Sequence, residues 1–370
     1  MAISLPHSRC GRWKEPDIDA KTVRRIIVVT LGAALFSCLF MLSYGYAIHS
    51  PRPHDVRIDV VATEATVTKV RAGLDHAVPG GFDLRPRSNV SEARRDITDR
   101  SASGAMVVPA SGPIDVLTAG AAGVPIQQVV DDALAAVAHA QGRSVHDVDV
   151  VPLPTGDRVG QSSFVYEFGL LIPGVIGSVG FYLLGRRVRL WLRVCAAIGY
   201  AVLASAFGVL ALDTCLGALT GAPWMLMATA TLVATAFLLT MAALHALFGL
   251  PGTAIGAAVL LVVGNAVNGS TVPIPLLPDG YRALAAWLPN GAAVAAFRDD
   301  VYFGGHGTQQ PIFALALWTL SALSVIAVTD MVHLRQRRRT LLPRAQIHAT
   351  PLVKHVGNLP PKRIPRHRER

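Results

Sequence analysis

A long uncharged apolar segment near the amino end constrains this chain more than any other feature. Residues 26–48 (IIVVTLGAALFSCLFMLSYGYAI) contain no charged side chain. As a helix, such a segment crosses the roughly 30 Å of hydrocarbon in a bilayer. It follows a basic stretch, and no small-residue cleavage site follows it. Residues 26–48 are therefore predicted to be a retained transmembrane helix rather than a removed signal peptide.

Apolar segments of similar length return after a long polar interval. They cover residues 165–185, 194–215, 223–248, 251–272 and 311–333. Apolar residues make up 52% of the chain and charged residues only 16%, whereas about a quarter of a soluble domain is charged. The sequence therefore predicts an α-helical polytopic membrane protein with six transmembrane helices, arranged as one plus five. This composition excludes a soluble enzyme.

The basic residues predict the orientation of these spans. Residues 1–25, 186–193 and 335–370 together hold 21 of the 34 lysines and arginines. The interval 49–164 holds eleven more, but it also has fourteen acidic residues, and long domains cross a membrane regardless of charge. Because basic clusters stay on the cytoplasmic side, residues 1–25 and both termini are predicted to be cytoplasmic. The basic, proline-containing tail 335–370 is predicted to be disordered and attracted to anionic lipids.

The interval between the first two spans, residues 49–164, is predicted to be an extracytoplasmic α/β domain. Alternating apolar and polar residues predict strands at 56–63, 104–110, 114–120 and 145–154. Helical spacing predicts helices at 65–78, 91–102 and 126–142. The histidines of this domain are scattered, and the adjacent Asp131 and Asp132 point in different directions on a helix. The sequence therefore predicts no catalytic residue, no metal site and no cofactor.

The predicted spans are nearly free of ionisable side chains. The acidic residues Glu167, Asp213 and Asp330 lie near predicted span ends, where water is close. Ionisable groups at mid-membrane depth mark proton pathways, so their absence argues against a proton-driven transporter. The chain also lacks the phosphate-binding sequence GxxxxGK[ST]. Any ATP-driven work would therefore depend on a separate subunit.

The segment 273–303 is apolar but is interrupted twice by proline and glycine. Its uninterrupted pieces, 281–288 and 291–299, are too short to cross a bilayer. The sequence therefore predicts a re-entrant or surface-lying helical hairpin within the five-helix membrane domain, residues 165–334. Two short helices entering from the outer face would keep Arg282 and Arg298 near water.

Two groups of polar or exposed residues are candidate sites. Asn265 and Asn268, near the outer end of the fifth predicted span, could bind a substrate headgroup; bonding between helices or exposure at the interface are the alternatives. The basic loop RRVRLWLR is short and amphipathic and could dock an ATPase, or it could only hold the span ends by the positive-inside effect. Its candidate docking residues are Arg186, Arg187, Arg189, Trp191, Leu192 and Arg193.

The order of these segments resembles the type-2 permeases of ABC transporters. One span, a large external domain, five further spans and a broken hairpin before the last span are typical of that superfamily. The stretch 276–303 is similar to the segment that precedes its final span. The candidate hairpin residues are Trp287, Leu288, Pro289 and Arg298, and of these Leu288, Pro289 and Arg298 are the matching positions.

Within this superfamily, the chain most resembles the phage-infection-protein-like (Pip-like) branch of bacterial membrane proteins. Residues 93–123 are similar to its pattern of helix, strand, strand and small-residue turn, and residues 50–61 also fit. The resemblance implies a multi-pass protein of the bacterial cytoplasmic membrane that is not itself an enzyme. It implies export of a lipidic or amphipathic substrate, driven by a separate nucleotide-binding ATPase subunit.

The resemblance further implies a homodimer or a heterodimer with a similar permease, with the lipid bilayer as the surrounding partner and no nucleic acid. The alternative function is a non-transporting scaffold or receptor whose external domain binds an envelope or secretion partner. A P-loop ATPase encoded beside this chain would favour the permease.

Overall fold

The computed structural model describes residues 20–185 and 188–347. A long helix, α1 (Ala20–Ile48), precedes an α/β domain and then a bundle of helices. The elements of the α/β domain are, in chain order, β1 (Val56–Val61), α2 (Glu64–Ala77), β2 (Phe82–Pro86), α3 (Val90–Thr98), β3 (Gly104–Val107), β4 (Ile114–Thr118), α4 (Val124–Ala140) and β5 (Val145–Asp149).

The second part of the chain is helical. Its α-helices are α5 (Ser162–Gly185), α6 (Leu190–Val209), α7 (Pro223–Phe248), α8 (Pro251–Gly256), α9 (Asp279–Ala285), α10 (Pro289–Tyr302) and α11 (Gln309–Ile347). Two of them continue as π-helical segments, α6 through Leu210–Cys215 and α8 through Ala257–Gly264. Such segments are rare and are often found at functional sites.

The five strands form one mixed sheet in the order β2-β1-β3-β4-β5. Strand β1 is parallel to β2 and β3, while β4 is antiparallel to β3 and parallel to β5. Because side chains alternate between the two faces of a strand, Ile58 and Val60 pack in one core with α2 and α4. The opposite face packs against Ala93 and Ile97 of α3.

The predicted strands and helices of this domain are present in the structure. The four strands and α3 are shorter than predicted, whereas α2 and α4 have the predicted lengths but begin one and two residues earlier. One strand, β2, was not predicted. It is short, follows Gly80 and Gly81, and ends on Pro86. Proline is tolerated there because β2 is an edge strand, where one side makes no ladder bonds. Its two buried residues, Phe82 and Leu84, are too few to give a periodic signal.

Among the described residues, five helices are long and apolar enough to cross a membrane. They cover Ala20–Ile48, Ser162–Leu183, Trp191–Cys215, Pro223–Phe248 and Gln309–Gln336. The predicted span 251–272 contains a shorter apolar helix, Pro251–Gly264, so six spans are not confirmed. Beyond that helix the chain turns at Gly269, where φ is 78°.

Helix α7 is the centre of the helical bundle. It packs against α5, α6, α8, α10 and α11, and 56% of the residues in its most apolar 18-residue stretch are buried. For α1 the same fraction is 6%, because this helix lies at the periphery. The hydroxyl of Ser43 donates a hydrogen bond to the carbonyl of Val262 (3.0 Å) and lies 2.9 Å from the Tyr281 hydroxyl. These contacts attach the carboxyl end of α1 to the bundle.

The segment 273–303 forms two short helices, α9 and α10, as the two interruptions predict. The indole nitrogen of Trp318 donates to the carbonyl of Trp287 (2.7 Å), which ties the turn between them to α11. Helix α11 continues to Ile347, so residues 335–347 of the predicted disordered tail are helical. Residues 348–370 lie outside the described part of the chain.

One charged group is buried inside the α/β domain. The carboxyl of Asp59, on the central part of the sheet, is completely buried and makes no hydrogen bond within the described residues. The Arg87 guanidinium lies 3.3 Å from it but hydrogen-bonds to Asp96 at 2.6 Å. Burial, and the neighbouring Asp96, raise the pKa of Asp59 to about 6 from an ordinary 3.8. The charged form of Asp59 therefore destabilises the folded domain.

The sign of this effect gives a testable prediction. The destabilisation is absent below about pH 4, grows as pH rises to about 6, and is complete at pH 7. At pH 7, Asp59→Asn should therefore stabilise the domain by about 1 to 3 kcal/mol. Hydrogen exchange of peptides from β1 and β3 in the full chain should slow. The matched control, Asp83→Asn at a half-exposed position, should leave exchange unchanged. Faster exchange in Asp59→Asn would contradict the assignment.

Candidate functional site

A buried carboxyl group lies inside the helical bundle. Glu167, on α5, is 0% exposed. Its Oε1 accepts a hydrogen bond from Asn290 Nδ2 (2.7 Å), and its Oε2 accepts a longer one from Asn268 Nδ2 (3.5 Å). Within the described residues no Lys, Arg or His lies within 4 Å of this carboxyl. The group is thus held by neutral amide donors.

This position corrects a prediction. Glu167 was expected at a span end near water, but α10 and the segment after Gly264 cover it completely. The sequence argument against a buried ionisable group in the membrane part is therefore wrong for this residue. Asp330, by contrast, lies partly exposed and pairs with Arg193.

Asn290 connects three elements at this point. It is the second residue of α10, and its Nδ2 donates to the Leu260 carbonyl (3.2 Å) as well as to Glu167. Leu260 lies in the π-helical segment after α8. Gly264, in the same segment, leaves room for the amide, because a Cβ there would collide with Asn290 Oδ1. The π-helical segment and the missing side chain together allow Asn290 to reach Glu167.

The two asparagines predicted to contact substrate are both buried. Asn268 Nδ2 donates to Asn265 Oδ1 (2.9 Å), while Asn268 Oδ1 accepts from the backbone nitrogen (3.0 Å) and hydroxyl (2.6 Å) of Ser270. These bonds lie within one short segment, and only the 3.5 Å bond from Asn268 to Glu167 joins two elements, as the alternative of bonding between helices predicts. Asn268 also lines a cavity, and Asn265 lies behind it.

That cavity, of about 330 Å³, lies between the α/β domain and the helical hairpin. The domain contributes the start of β1, residues 100–103 and the start of α4, and the bundle contributes residues 268–275, α9 and α10. We refer to it as the junction cavity. Its charged lining residues are Asp55, Arg57, Arg100, Arg282 and Arg298.

Arg298 is the buried cation of the junction cavity. It is 5% exposed, and its two terminal nitrogens donate to the carbonyls of Gly269 (3.1 Å) and Gly160 (3.0 Å). Among the described residues no carboxylate lies within 4 Å of it. Burial lowers the pKa of Arg298 to about 10, which still leaves the side chain charged at neutral pH. The hairpin therefore does not leave Arg298 exposed at its surface: the α/β domain packs against this side chain, which borders the junction cavity.

Arg100 joins the α/β domain to α10. Its Nε lies 2.9 Å from Asp299 Oδ1, and its guanidinium lies over the Phe303 ring at 4.5 Å from the centroid. The next residue, Asp300, accepts hydrogen bonds from the hydroxyls of Thr229 (2.6 Å) and Thr308 (3.2 Å). The sequence carries one signal for these contacts, two consecutive aspartates in an apolar segment, but it does not identify their partners.

The other hairpin residues lie where α9 meets α10. Leu288 precedes α10 and is buried, and Pro289 is its first residue, where the missing N–H costs nothing. Trp287 is 54% exposed; its backbone nitrogen donates to the Leu284 carbonyl (3.1 Å), and its own carbonyl accepts the bond from Trp318.

The predicted docking loop is described only in part. Arg186 and Arg187 lie outside the described residues. Trp191 and Leu192, at the start of α6, are 58% and 44% exposed. Arg193 forms an ion pair with Asp330 of α11, so its charge is already paired within the protein. Arg189, Trp191 and Leu192 are thus the exposed positions among the candidate docking residues that the structure describes.

Comparisons with models of known protein families and with curated proteins find no match to this chain. Within the described residues no group of three or more His, Cys, Asp or Glu side chains is arranged to hold a metal ion. The site consists of a buried carboxyl held by amides and a cavity lined by arginines, and Asn268 contacts both.

The close approach of Gly264 and Asn290 can be tested by mutation. Gly264→Ala should force the Asn290 amide away from Glu167 and Leu260 and destabilise the protein by about 1 to 3 kcal/mol. The matched control is Gly199→Ala in α6, where a Cβ meets nothing within 4 Å and alanine favours the helix. Thermal unfolding in detergent measures both. Equal stability of the two variants would refute the packing argument.

Proposed function

We propose that this chain is a type-2-like ABC permease of the Pip-like kind, a subunit that exports a lipidic or amphipathic substrate with energy from a separate ATPase. The observation that carries the proposal is the junction cavity. Its arginines lie beside apolar wall residues, including Ile126, Val294 and Pro273. A molecule with an anionic head and an apolar body matches both surfaces, whereas a small ion would use only one.

The proposed topology has six crossings, with both termini in the cytoplasm and the α/β domain outside the bacterial cytoplasmic membrane. The fifth crossing in chain order is α8 with its π-helical segment. Gly252 lies against Leu244 of α7, and Gly256 lies against Met241, one turn further from the loop. The segment therefore runs back along α7 toward the hairpin, although its 14 residues are fewer than a typical span needs.

The proposed topology makes the hairpin and the α/β domain share one side of the membrane. In a chain with every cysteine replaced by serine, single cysteines at Ser111 and Ala283, both exposed, should react with an impermeant thiol reagent from outside intact cells. A cysteine at Leu250, half exposed between α7 and α8, should react only after the membrane is opened. Labelling of Leu250→Cys in intact cells would overturn this topology. The replaced cysteines are Cys10, Cys38, Cys195 and Cys215.

The proposal requires a partner ATPase at the cytoplasmic end of α6. The double change Trp191→Asp and Leu192→Asp should abolish co-purification of a P-loop ATPase from the native host while membrane insertion persists. The matched control is Trp224→Asp, because Trp224 is 83% exposed but lies at the start of α7, the opposite end of the bundle. The Trp224→Asp variant should still co-purify with the ATPase.

The same experiment decides between the two functions. If the unmodified protein, extracted in mild detergent, carries no nucleotide-binding partner, the permease proposal fails and the scaffold or receptor alternative replaces it.

The exposed apolar side chains along α1 support a membrane-embedded surface that lipid or a second permease subunit would cover. A homodimer, or a heterodimer with a similar permease, is part of the proposal.

A further inference from the structure

The junction cavity carries more positive than negative charge. Its lining includes four arginines and one aspartate. Two of the arginines are compensated: Arg100 pairs with Asp299, while Arg282 contacts Asp279 at 2.6 Å and Asp55 at 3.7 Å. The two that remain, Arg57 and Arg298, have no carboxylate partner within the described residues. Neither is neutralised by a direct ion pair, although the more distant Asp157 and Asp299 offset part of the Arg298 charge.

Arg57 and Arg298 also have unused hydrogen-bond donors. The Arg57 side chain is exposed in the cavity and makes no hydrogen bond within the described residues. Arg298 uses two of its N–H groups on the carbonyls of Gly269 and Gly160, and a guanidinium has five. An arginine with free donors binds phosphate in a planar, two-point geometry that a carbonyl oxygen cannot match.

The start of α4 adds to the positive potential. This 17-residue helix has no acidic residue in its first turn, and its N-cap, Gly123, supplies no side chain. Ala122, before the helix, and Ile126, in its first turn, line the cavity, and a Cβ at Gly123 would lie 3.5 Å from an Arg298 nitrogen. The amino end of a helix carries roughly half a positive charge and favours anions.

We propose that the junction cavity binds a phosphate group, held by Arg57 and Arg298 beside the start of α4. The phosphate can belong to a lipid headgroup or to a free phosphate compound. The apolar wall of Pro273, Ile274 and Val294 would contact the carbon atoms of a headgroup. The role of this ligand as cargo rests on the proposed transport function, whereas the binding itself requires no ATPase.

Binding is measured by calorimetry on the purified full chain in dodecyl maltoside. The three probes are dihexanoyl phosphatidylglycerol, dihexanoyl phosphatidylcholine and inorganic phosphate. Phosphatidylglycerol should bind more tightly than phosphatidylcholine, because the choline cation is repelled by the arginines. Saturation by phosphatidylglycerol alone identifies a lipid headgroup as the source, and saturation by inorganic phosphate identifies a free phosphate compound. Failure of all three probes to bind overturns the proposal.

The decisive variant is Arg57→Gln, because Arg57 makes no contact that folding depends on. It should weaken binding at least about tenfold, which is the expected loss for one charged hydrogen-bond donor. The control, Arg94→Gln, removes the same charge from an exposed position of α3 outside the cavity and should bind as the unmodified protein does. Equal affinity of both variants overturns the site.

Arg298→Lys provides a second measurement. Lysine keeps the charge but loses the two-pronged geometry, so binding should fall while the fold, measured by thermal unfolding, persists. None of these measurements involves an ATPase. If the chain binds phosphate but co-purifies with no ATPase, the binding site stands and the proposed transport function fails. If it co-purifies with an ATPase but binds no phosphate, the transport function stands and the binding site fails.

Discussion

The buried carboxyl of Glu167 must receive hydrogen-bond donors from the protein, because it lies inside the bundle without a cationic neighbour among the described residues. An unpaired polar group in such a place costs several kcal/mol, and a charge costs more. The donors come from Asn290 of α10 and Asn268 of the segment beyond the π-helix. This group therefore contributes to the position of the hairpin against the bundle, together with the Asp300–Thr229 and Trp318–Trp287 hydrogen bonds.

The burial of Glu167 also bears on whether transport could be driven by protons. From the sequence, the lack of buried ionisable residues opposed a proton-driven mechanism. Glu167 removes that argument, because it is fully buried and lies on a helix that is long and apolar enough to cross a membrane. The proposed ATPase dependence now rests on the resemblance to type-2 permeases and on the exposed Trp191 and Leu192, and the missing P-loop assigns any ATPase to another chain.

The parts of the fold that follow from local pattern could be predicted from the sequence. Alternation identified four strands, and uninterrupted apolar length identified the five long helices. Strand β2 could not be predicted, because only two apolar residues between glycine and proline mark it in the sequence. Only part of the candidate site could be predicted. The sequence identifies Asn265 and Asn268 as candidate site residues. Glu167 and Asn290, however, lie 123 residues apart, and no local pattern in one sequence pairs them.

The junction cavity and the buried carboxyl share one short piece of chain. Asn268 lines the cavity and donates to Glu167, and Arg298 holds the carbonyl of the next residue, Gly269. A ligand that draws Arg298 toward itself must compete with that carbonyl, and any shift of Gly269 alters the donor that Asn268 presents. Coupling of this kind is reciprocal. If an occupant of the cavity changes the hydrogen bonds of Glu167, the state of Glu167 changes the affinity of the cavity to the same extent.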